Sequence, residues 1–289
     1  MFSAKIRELT LRRASKEDCR AIRYLMEEHW AVHTRMPLED IRARIDTDLA
    51  FLAEDYVTLR GFIMVESQPP QNGLMITVAV HDNSKISTFL ALALPPIEAE
   101  LHAQGIKYLS QIGETEWLNR ELLKCGFRLQ EEIVTYRRKA QALPPVTPHP
   151  RLTIRQVHIA DLPALVNLDE LVFGSTWHKP KSAFREAIQR APIFIVGHID
   201  NTLIAYIWCD QRGDHGHHLT RIGTHPDYQG QGIGAQLLRY ALDNAQKMAI
   251  KTVSLNTQES NLRSRELYRR FGFEEIHQNV GVYRKQLLR

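Results

Sequence analysis

The sequence predicts an α/β protein built of two domains that repeat each other, and three observations carry this. The chain has 289 residues, more than the roughly 100 to 200 usual for one domain. The stretch Ala142-Leu143-Pro144-Pro145-Val146-Thr147-Pro148-His149-Pro150 holds four prolines, which neither donate to a sheet ladder nor sit inside a helix, so it reads as a stiff extended linker. On either side of it the same grammar starts again. Leu9-Thr10-Leu11-Arg12-Arg13-Ala14, followed by Asp18, Ala21 and Ile22, parallels Leu152-Thr153-Ile154-Arg155-Gln156-Val157, followed by Asp161, Ala164 and Leu165. Each is a short alternating strand leading into an amphipathic helix. Farther on, Val80-His81-Asp82 matches Thr224-His225-Pro226, and Ile106-Lys107-Tyr108-Leu109-Ser110 matches Ile250-Lys251-Thr252-Val253-Ser254, at a constant numbering difference of 144. Both halves then reach Gly-Phe, at Gly126-Phe127 and Gly272-Phe273. The expected domains are 1–141 and 151–289, joined by 142–150.

Composition narrows the classes. With 44% hydrophobic and 24% charged residues the chain reads as globular, and no apolar run approaches the roughly 20 residues of a membrane span, so no membrane partner is expected. The start, Met1 to Glu8, places charges where a signal peptide needs an apolar core, and Cys19, Cys125 and Cys209 are few, odd in number and far apart. Both features suit a reducing cytoplasm. The net charge of +4 is spread through both halves, without a dense Lys/Arg tract or interleaved aromatics, so nucleic acid is not the expected ligand. A small polyanion is a sufficient partner.

In the second half, Ile193 to Val196 and Leu203 to Trp208 are strand-like and joined by a hairpin turning at Asp200-Asn201. Leu219 to Thr224 is the next strand. Leu237, Leu238, Ala241, Leu242 and Ala245 then form one apolar helix face. Val253 to Leu255 is a short strand, Asn261 to Phe271 a helix entered through Ser260 or Asn261 as N-cap, and Val280 to Leu287 a closing strand.

Between the strand ending at Thr224 and the helix beginning near Ala235 lies Gln229-Gly230-Gln231-Gly232-Ile233-Gly234. Alternate glycines let the backbone take positive φ and let a ligand come close, and the free N–H groups of a helix start attract phosphate. This points to a pyrophosphate cradle, although glycines also serve a plain strand-to-helix corner. No Gly-Lys-Ser/Thr follows, as a nucleoside-triphosphate loop requires. The glycine spacing is not G-x-G-x-x-G, and Leu255-Asn256 stands where a dinucleotide fold asks for an acidic residue.

The residues Gln229, Gly232 and Gly234, preceded by Thr224-His225-Pro226-Asp227-Tyr228, resemble the signature of the GNAT superfamily of acyl-CoA N-acyltransferases: Gln or Arg, two residues, Gly, one residue, then Gly or Ala. A second signature of that family is matched by Asn261-x-x-Ser264-x-x-Leu267-Tyr268-x-x-Phe271-Gly272-Phe273. The resemblance covers about Arg151 to Arg289 and implies a mixed, mostly antiparallel sheet flanked by helices. It also implies acetyl-CoA as cosubstrate and no metal. Backbone groups of Ile222, Gly223 and Thr224 would pair with the pantetheine arm. Amides of Gln229, Gly230, Gln231, Gly232, Ile233, Gly234 and Ala235 would hold the pyrophosphate, and Asn261 would contact the coenzyme.

The resemblance makes Tyr268 the general acid that protonates the departing CoA sulfur, and it places His218 where several relatives carry a catalytic glutamate or histidine. As a base near its ordinary pKa of about 6.5, His218 would give a rate that rises through that pH. The plain alternative is that Asp214-His215-Gly216-His217-His218 is a polar hairpin loop running into a strand. No Cys or paired carboxylate completes a metal ligand set with these histidines. Relatives acting on protein N-terminal alanines often carry a glutamate where this chain has Asn256, a departure that counts against such an acceptor. The acceptor is expected to be a primary amine on a small molecule, peptide or protein. A non-catalytic acyl-CoA-binding module is the competing reading, since it would keep Gly232 and Gly234 but have no need of Tyr268.

With the difference of 144 applied, Lys85, Thr88 and Leu90 stand opposite Gln229, Gly232 and Gly234, and the counterpart of Tyr268 is Leu123 or Leu122. The first half thus resembles a GNAT domain that kept its core and lost its coenzyme loop.

Overall fold

A computed structural model describes residues 9–29, 31–56, 58–68, 72–82, 85–276 and 279–287. The charged start at Met1 to Glu8 lies outside them. The chain divides into two compact units, Met1–Glu131 with Val280–Arg289, and Glu132–Asn279.

The first unit runs β1 (Thr10–Arg13), α1 (Cys19–Glu28), β2 (Val32–Thr34), α2 (Leu38–Arg44), β3 (Leu49–Asp55), β4 (Thr58–Gln68), β5 (Asn72–Val80), α3 (Ile86–Ala103), β6 (Tyr108–Gly113) and α4 (Glu116–Lys124). The second opens with β7 (Arg128–Lys139) and continues through β8 (Thr153–Gln156), α5 (Leu162–Trp177), α6 (Lys181–Arg190), β9 (Ile193–Ile199), β10 (Thr202–Arg212), β11 (Gly216–Thr224), α7 (Ile233–Lys247), β12 (Thr252–Gln258), α8 (Leu262–Arg270) and β13 (Glu274–Glu275). The last strand, β14 (Val280–Gln286), returns to the first unit and pairs antiparallel with β6. The strand order is β1-β3-β4-β5-β6-β14 in the first unit and β7-β12-β11-β10-β9-β8 in the second. In each unit one pair is parallel, β5 with β6 and β11 with β12. Both are mixed, mostly antiparallel sheets with helices, the expected fold class.

The units differ from the expected boundaries at 141 and 151. β7 belongs to the second unit, where it pairs with β12 from Lys139↔Thr252 to Ile133↔Gln258, and β14 closes the first. The proline stretch is extended but fixed: Leu143 and Val146 pack on the second unit's core, and Arg239 and Arg270 donate to the carbonyls of Pro144 and Pro145.

Repetition extends to irregularities. β4 and β5 shift register between Met64↔Thr77 and Val65↔Met75, leaving Ile76 as the extra residue. β10 and β11 do the same between Trp208↔Arg221 and Cys209↔Leu219, leaving Thr220, at the same difference of 144. Arg12 grips Asp18 bidentately, at 2.7 and 2.9 Å, as Arg155 grips Asp161 at 2.7 and 2.8 Å.

In the second unit β9 and β10 are buried on both faces. Ile193, Ile195, Ala205 and Ile207 meet the apolar face of α7, where Leu237, Leu238, Ala241, Leu242 and Ala245 are all buried as their spacing predicts. Phe194, Val196, Tyr206 and Trp208 meet Leu165, Leu168 and Phe184 of α5 and α6. This packing holds β11 and the start of α7 in place.

Candidate active site

The parallel pair β11–β12 is short. Pairing runs from Gly216↔Thr252 to Leu219↔Leu255 and then stops, while β11 stays on β10 to Thr224↔Ala205 and β12 stays on β7 to Gln258↔Ile133. The Thr220 bulge bends β11 at the point of separation, since an extra residue strengthens local twist. The two strands therefore part, and alternate peptide groups of Thr220 to Thr224 face a gap instead of a neighbouring strand. A cleft of about 530 Å³ opens there, bounded by Ile222 and Thr224, by Gly230, by Gly232 to Ala235, and by Asn261, Ser264 and Tyr268.

The glycine turn is held open by its own side chains. Gln229 donates to the Thr224 carbonyl at 3.0 Å, and Gln231 donates to the Asp227 carbonyl at 3.1 Å. Gly230 and Gly232 have φ of 84° and 80°, a left-handed conformation that side chains strain. A Cβ on Gly232 would meet nothing within 4 Å, so that face of the turn is open. Gly234 differs from the expectation for all three glycines. It lies inside α7, outside the positive-φ set, and a Cβ there would make ordinary contact with Thr224 Oγ1 at 3.7 Å. Helix α7 starts at Ile233, two residues before the predicted start, and its first residues, Ile233 to Ala235, line the cleft. Gly223 faces away from it, because the Tyr206 ring stands 2.8 Å from where a Cβ would be.

Helix α8 enters from the other side. Asn261 is its N-cap, accepting from the Ser264 amide at 3.2 Å, which decides between Ser260 and Asn261. Tyr268, two turns on, is 5% exposed and packs against Tyr136 and Phe273, with ring centroids at 6.3 and 5.9 Å. Burial holds its phenol well above the usual tyrosine range, partly offset by the hydroxyl of Ser264. The group is therefore a neutral proton donor at the cleft wall. Its support comes from β7, which the sequence reading assigned elsewhere. The Tyr136 hydroxyl donates to Glu275 at 3.0 Å and accepts from Arg265 at 3.1 Å, and buried Arg138 donates to the Phe271 carbonyl at 2.7 Å, closing the end of α8.

His218 is not among the cleft-lining residues. It sits on the paired part of β11, opposite Ser254, with Nδ1 2.9 Å from the Ser254 hydroxyl. Burial, with Arg212 and Lys179 adding to it against Asp210, lowers its pKa to about 4. The imidazole is neutral at pH 7, and the expected titration near 6.5 is displaced downward by desolvation. His217 is buried, its Nδ1 2.9 Å from its neighbour's carbonyl, and Asp210 accepts from Thr220.

A further cluster escaped the sequence reading. Asp169 on α5 is fully buried, where Arg221 of β11 grips it bidentately at 2.8 and 2.9 Å and Tyr206 donates to it. The same guanidinium stacks 3.5 Å over Phe173 and donates to the Trp177 carbonyl at 2.5 Å. Phe173 and Trp177, which line the cleft opposite α8, are thus held by a buried ion pair.

The first unit repeats the frame without the opening. β5 and β6 stop pairing at Leu74↔Ser110, and the unit's own β2 fills the place beside β5, with Thr34↔Thr77, His33↔Val78 and Val32↔Ala79 paired. Val78, Ala79 and Val80 are the counterparts of Ile222, Gly223 and Thr224. Helix α3 begins at Ile86, so Thr88 and Leu90 lie within it and Leu90 is fully buried. Leu122 is the counterpart of Tyr268. The Phe127 amide reaches the Leu122 carbonyl as the Phe273 amide reaches that of Tyr268, and Leu123 points outward, 49% exposed.

Among the described residues no group of His, Cys, Asp and Glu is arranged to hold a metal, and no helix is long and apolar enough to cross a membrane.

Residues 162–273 match the acetyltransferase (GNAT) family. The [ribosomal protein bS18]-alanine N-acetyltransferase of Escherichia coli K12 is 26% identical over 125 residues, 43% of this chain and 81% of that one. Two solved structures share the fold over nearly the whole chain. A GCN5-related N-acetyltransferase from Sphaerobacter thermophilus has a TM-score of 0.65 at 16% identity, covering 99% of this chain and 98% of that one. A tandem GNAT protein from the clavulanic acid biosynthesis pathway has a TM-score of 0.63 at 11% identity, covering 98% and 99%.

Proposed function

From the match of residues 162–273 to the GNAT family we propose that the chain is an acyltransferase of that superfamily, whose second unit transfers an acetyl group from acetyl-CoA to a primary amine by direct attack within a ternary complex. The observation that carries this is the parting of β11 from β12 between a glycine turn and a buried, protonated tyrosine. The cleft fits the donor. Its free strand edge at Ile222 to Thr224 suits the amide-bearing pantetheine arm, and the amides from Gln229 to Ala235 suit the pyrophosphate. Asn261 adds a contact at the mouth.

In this reading the amine nitrogen attacks the thioester carbonyl and forms the new C–N bond. The C–S bond breaks as Tyr268 gives its proton to the leaving sulfur. The amine's surplus proton passes to solvent, and Tyr268 recovers a proton from solvent. An α-amine with pKa near 8 is free about one time in ten at pH 7, a lysine amine only about once in a few thousand. The relatives named for alanine acetylation support a peptide beginning with alanine as the first acceptor to test. A cytoplasmic setting accords with three free cysteines. The first unit, with β2 in the gap and Leu122 in place of the tyrosine, takes no coenzyme.

The test is Tyr268→Phe. Thiol release with a panel of amines should fall by about 10²- to 10⁴-fold while affinity for CoA is retained. A wild-type chain that binds CoA but releases no thiol with any amine would instead identify a non-catalytic acyl-CoA-binding module.

A further inference from the structure

Two helices begin at the same cleft. The first turn of α7, Ile233 to Ala235, and the first turn of α8, entered at Asn261, both line it, so two positive helix ends converge. Into this already positive place the chain puts Arg263, the second residue of α8, where a cation opposes the helix dipole. Its Nη1 donates to the neutral Gln229 Oε1 at 3.1 Å, and its Nη2 stands 3.5 Å from where a Cβ on Gly230 would be. Among the described residues no carboxylate lies within ion-pair distance of it. By contrast Arg265, two residues on, is paired with Glu275 at 3.3 Å. A guanidinium gathered with two helix N-termini and no anion is unfavourable alone and favourable around a bound polyanion. The turn from Gln229 to Ala235 itself contains no Lys or Arg. The other cleft-lining cation, Arg270, lies seven residues along α8, roughly 10 Å away, and donates to the Pro145 carbonyl.

We propose that Arg263 crosses the cleft from α8 to supply the cationic contact to the coenzyme's pyrophosphate. The proposal rests on the acyl-CoA reading of the cleft. Phosphate oxygens take the place of Gln229 Oε1 as acceptors, and the planar guanidinium can meet two of them at once. Gln229 remains on the Thr224 carbonyl and keeps the turn in shape.

The experiment is calorimetric titration of the full chain, wild type, Arg263→Gln and Arg263→Lys, with CoA and with 3′-dephospho-CoA. Arg263 is exposed, and thermal melting checks that the variants stay folded. The expected result is an equal loss for both ligands in Arg263→Gln, about 10-fold or more, with part of it restored by lysine. A loss for CoA alone would put the guanidinium on the 3′-phosphate and overturn the proposal. Unchanged affinity for both would make Arg263 a surface residue and overturn it equally. A wild-type chain that binds neither ligand would overturn the acyl-CoA reading first, and the proposal with it.

Discussion

A phenol that stays protonated through the neutral range can act as an acid and not as a base, and burial against Tyr136 and Phe273 keeps Tyr268 in that state. Turnover should therefore persist up to about pH 10, the ordinary tyrosine pKa. An alkaline fall centred well below that, absent from the acceptor's own ionisation, would contradict the assignment. His218 behaves differently. With its pKa lowered to about 4, the rate with an alanine-initiated peptide should show no step near 6.5 and should rise with the amine's own pKa near 8. His218→Ala should then cost less than about 10-fold, since so weak a base takes little of the proton-transfer work. A step near 6.5 that vanishes in the variant would restore His218 as the base. Stability carries the same signature. His218 and His33, both near 4 through burial, bind fewer protons folded than unfolded between about 4 and 6.5. Their contribution is present above 6.5 and lost as pH falls towards 4. The melting temperature should drop over that window, and His33→Gln should make the drop shallower; an unchanged slope would show that His33 binds protons equally in the folded and unfolded states.

At the scale of elements, the turn before α7 separates two kinds of glycine. Gly232→Ala forces a side chain to φ near 80° and should cost about 1 kcal/mol of stability as well as coenzyme affinity, whereas Gly234→Ala should leave both nearly unchanged. Equal effects in melting and titration would mean that the turn relaxes on binding. These elements also show what could be read in advance. The turn at Asp200-Asn201, with φ of 49° and 64°, and the buried face of α7 follow from local chemistry, so the sequence disclosed them. The Gly-x-Gly corner was legible because alternate glycines stand out in their segment, and Tyr268 was singled out only because its segment matches a family signature. β2 was not, because three residues, Val32–Thr34, carry no period of their own and are a strand only by pairing with β5. The Asp169–Arg221 pair was hidden for a related reason, since 52 positions separate two residues that only tertiary packing unites.

At the scale of the whole molecule, duplication was legible as a difference of 144 because both copies kept the same local pattern, even to the bulge at Ile76 and Thr220. The destination of the closing strands was not, since alternation marks a strand and says nothing of its partner. That destination has a consequence for dissection. Residues 151–289 lack β7, and with it Tyr136 and Arg138, and retain β14, whose partner is β6. Such a fragment should fail to fold, while 132–279 should fold and keep the cleft; circular dichroism of the two fragments checks this, and a stable 151–289 would contradict it.

The claim at the centre is that one chain offers one acyl-CoA site, in the second unit. Calorimetric titration of the full chain with acetyl-CoA measures it directly. One site per chain is predicted, weakened by Gly232→Ala and indifferent to Leu122→Ala in a folded protein. Two equivalent sites, or a single site untouched by Gly232→Ala, would contradict it.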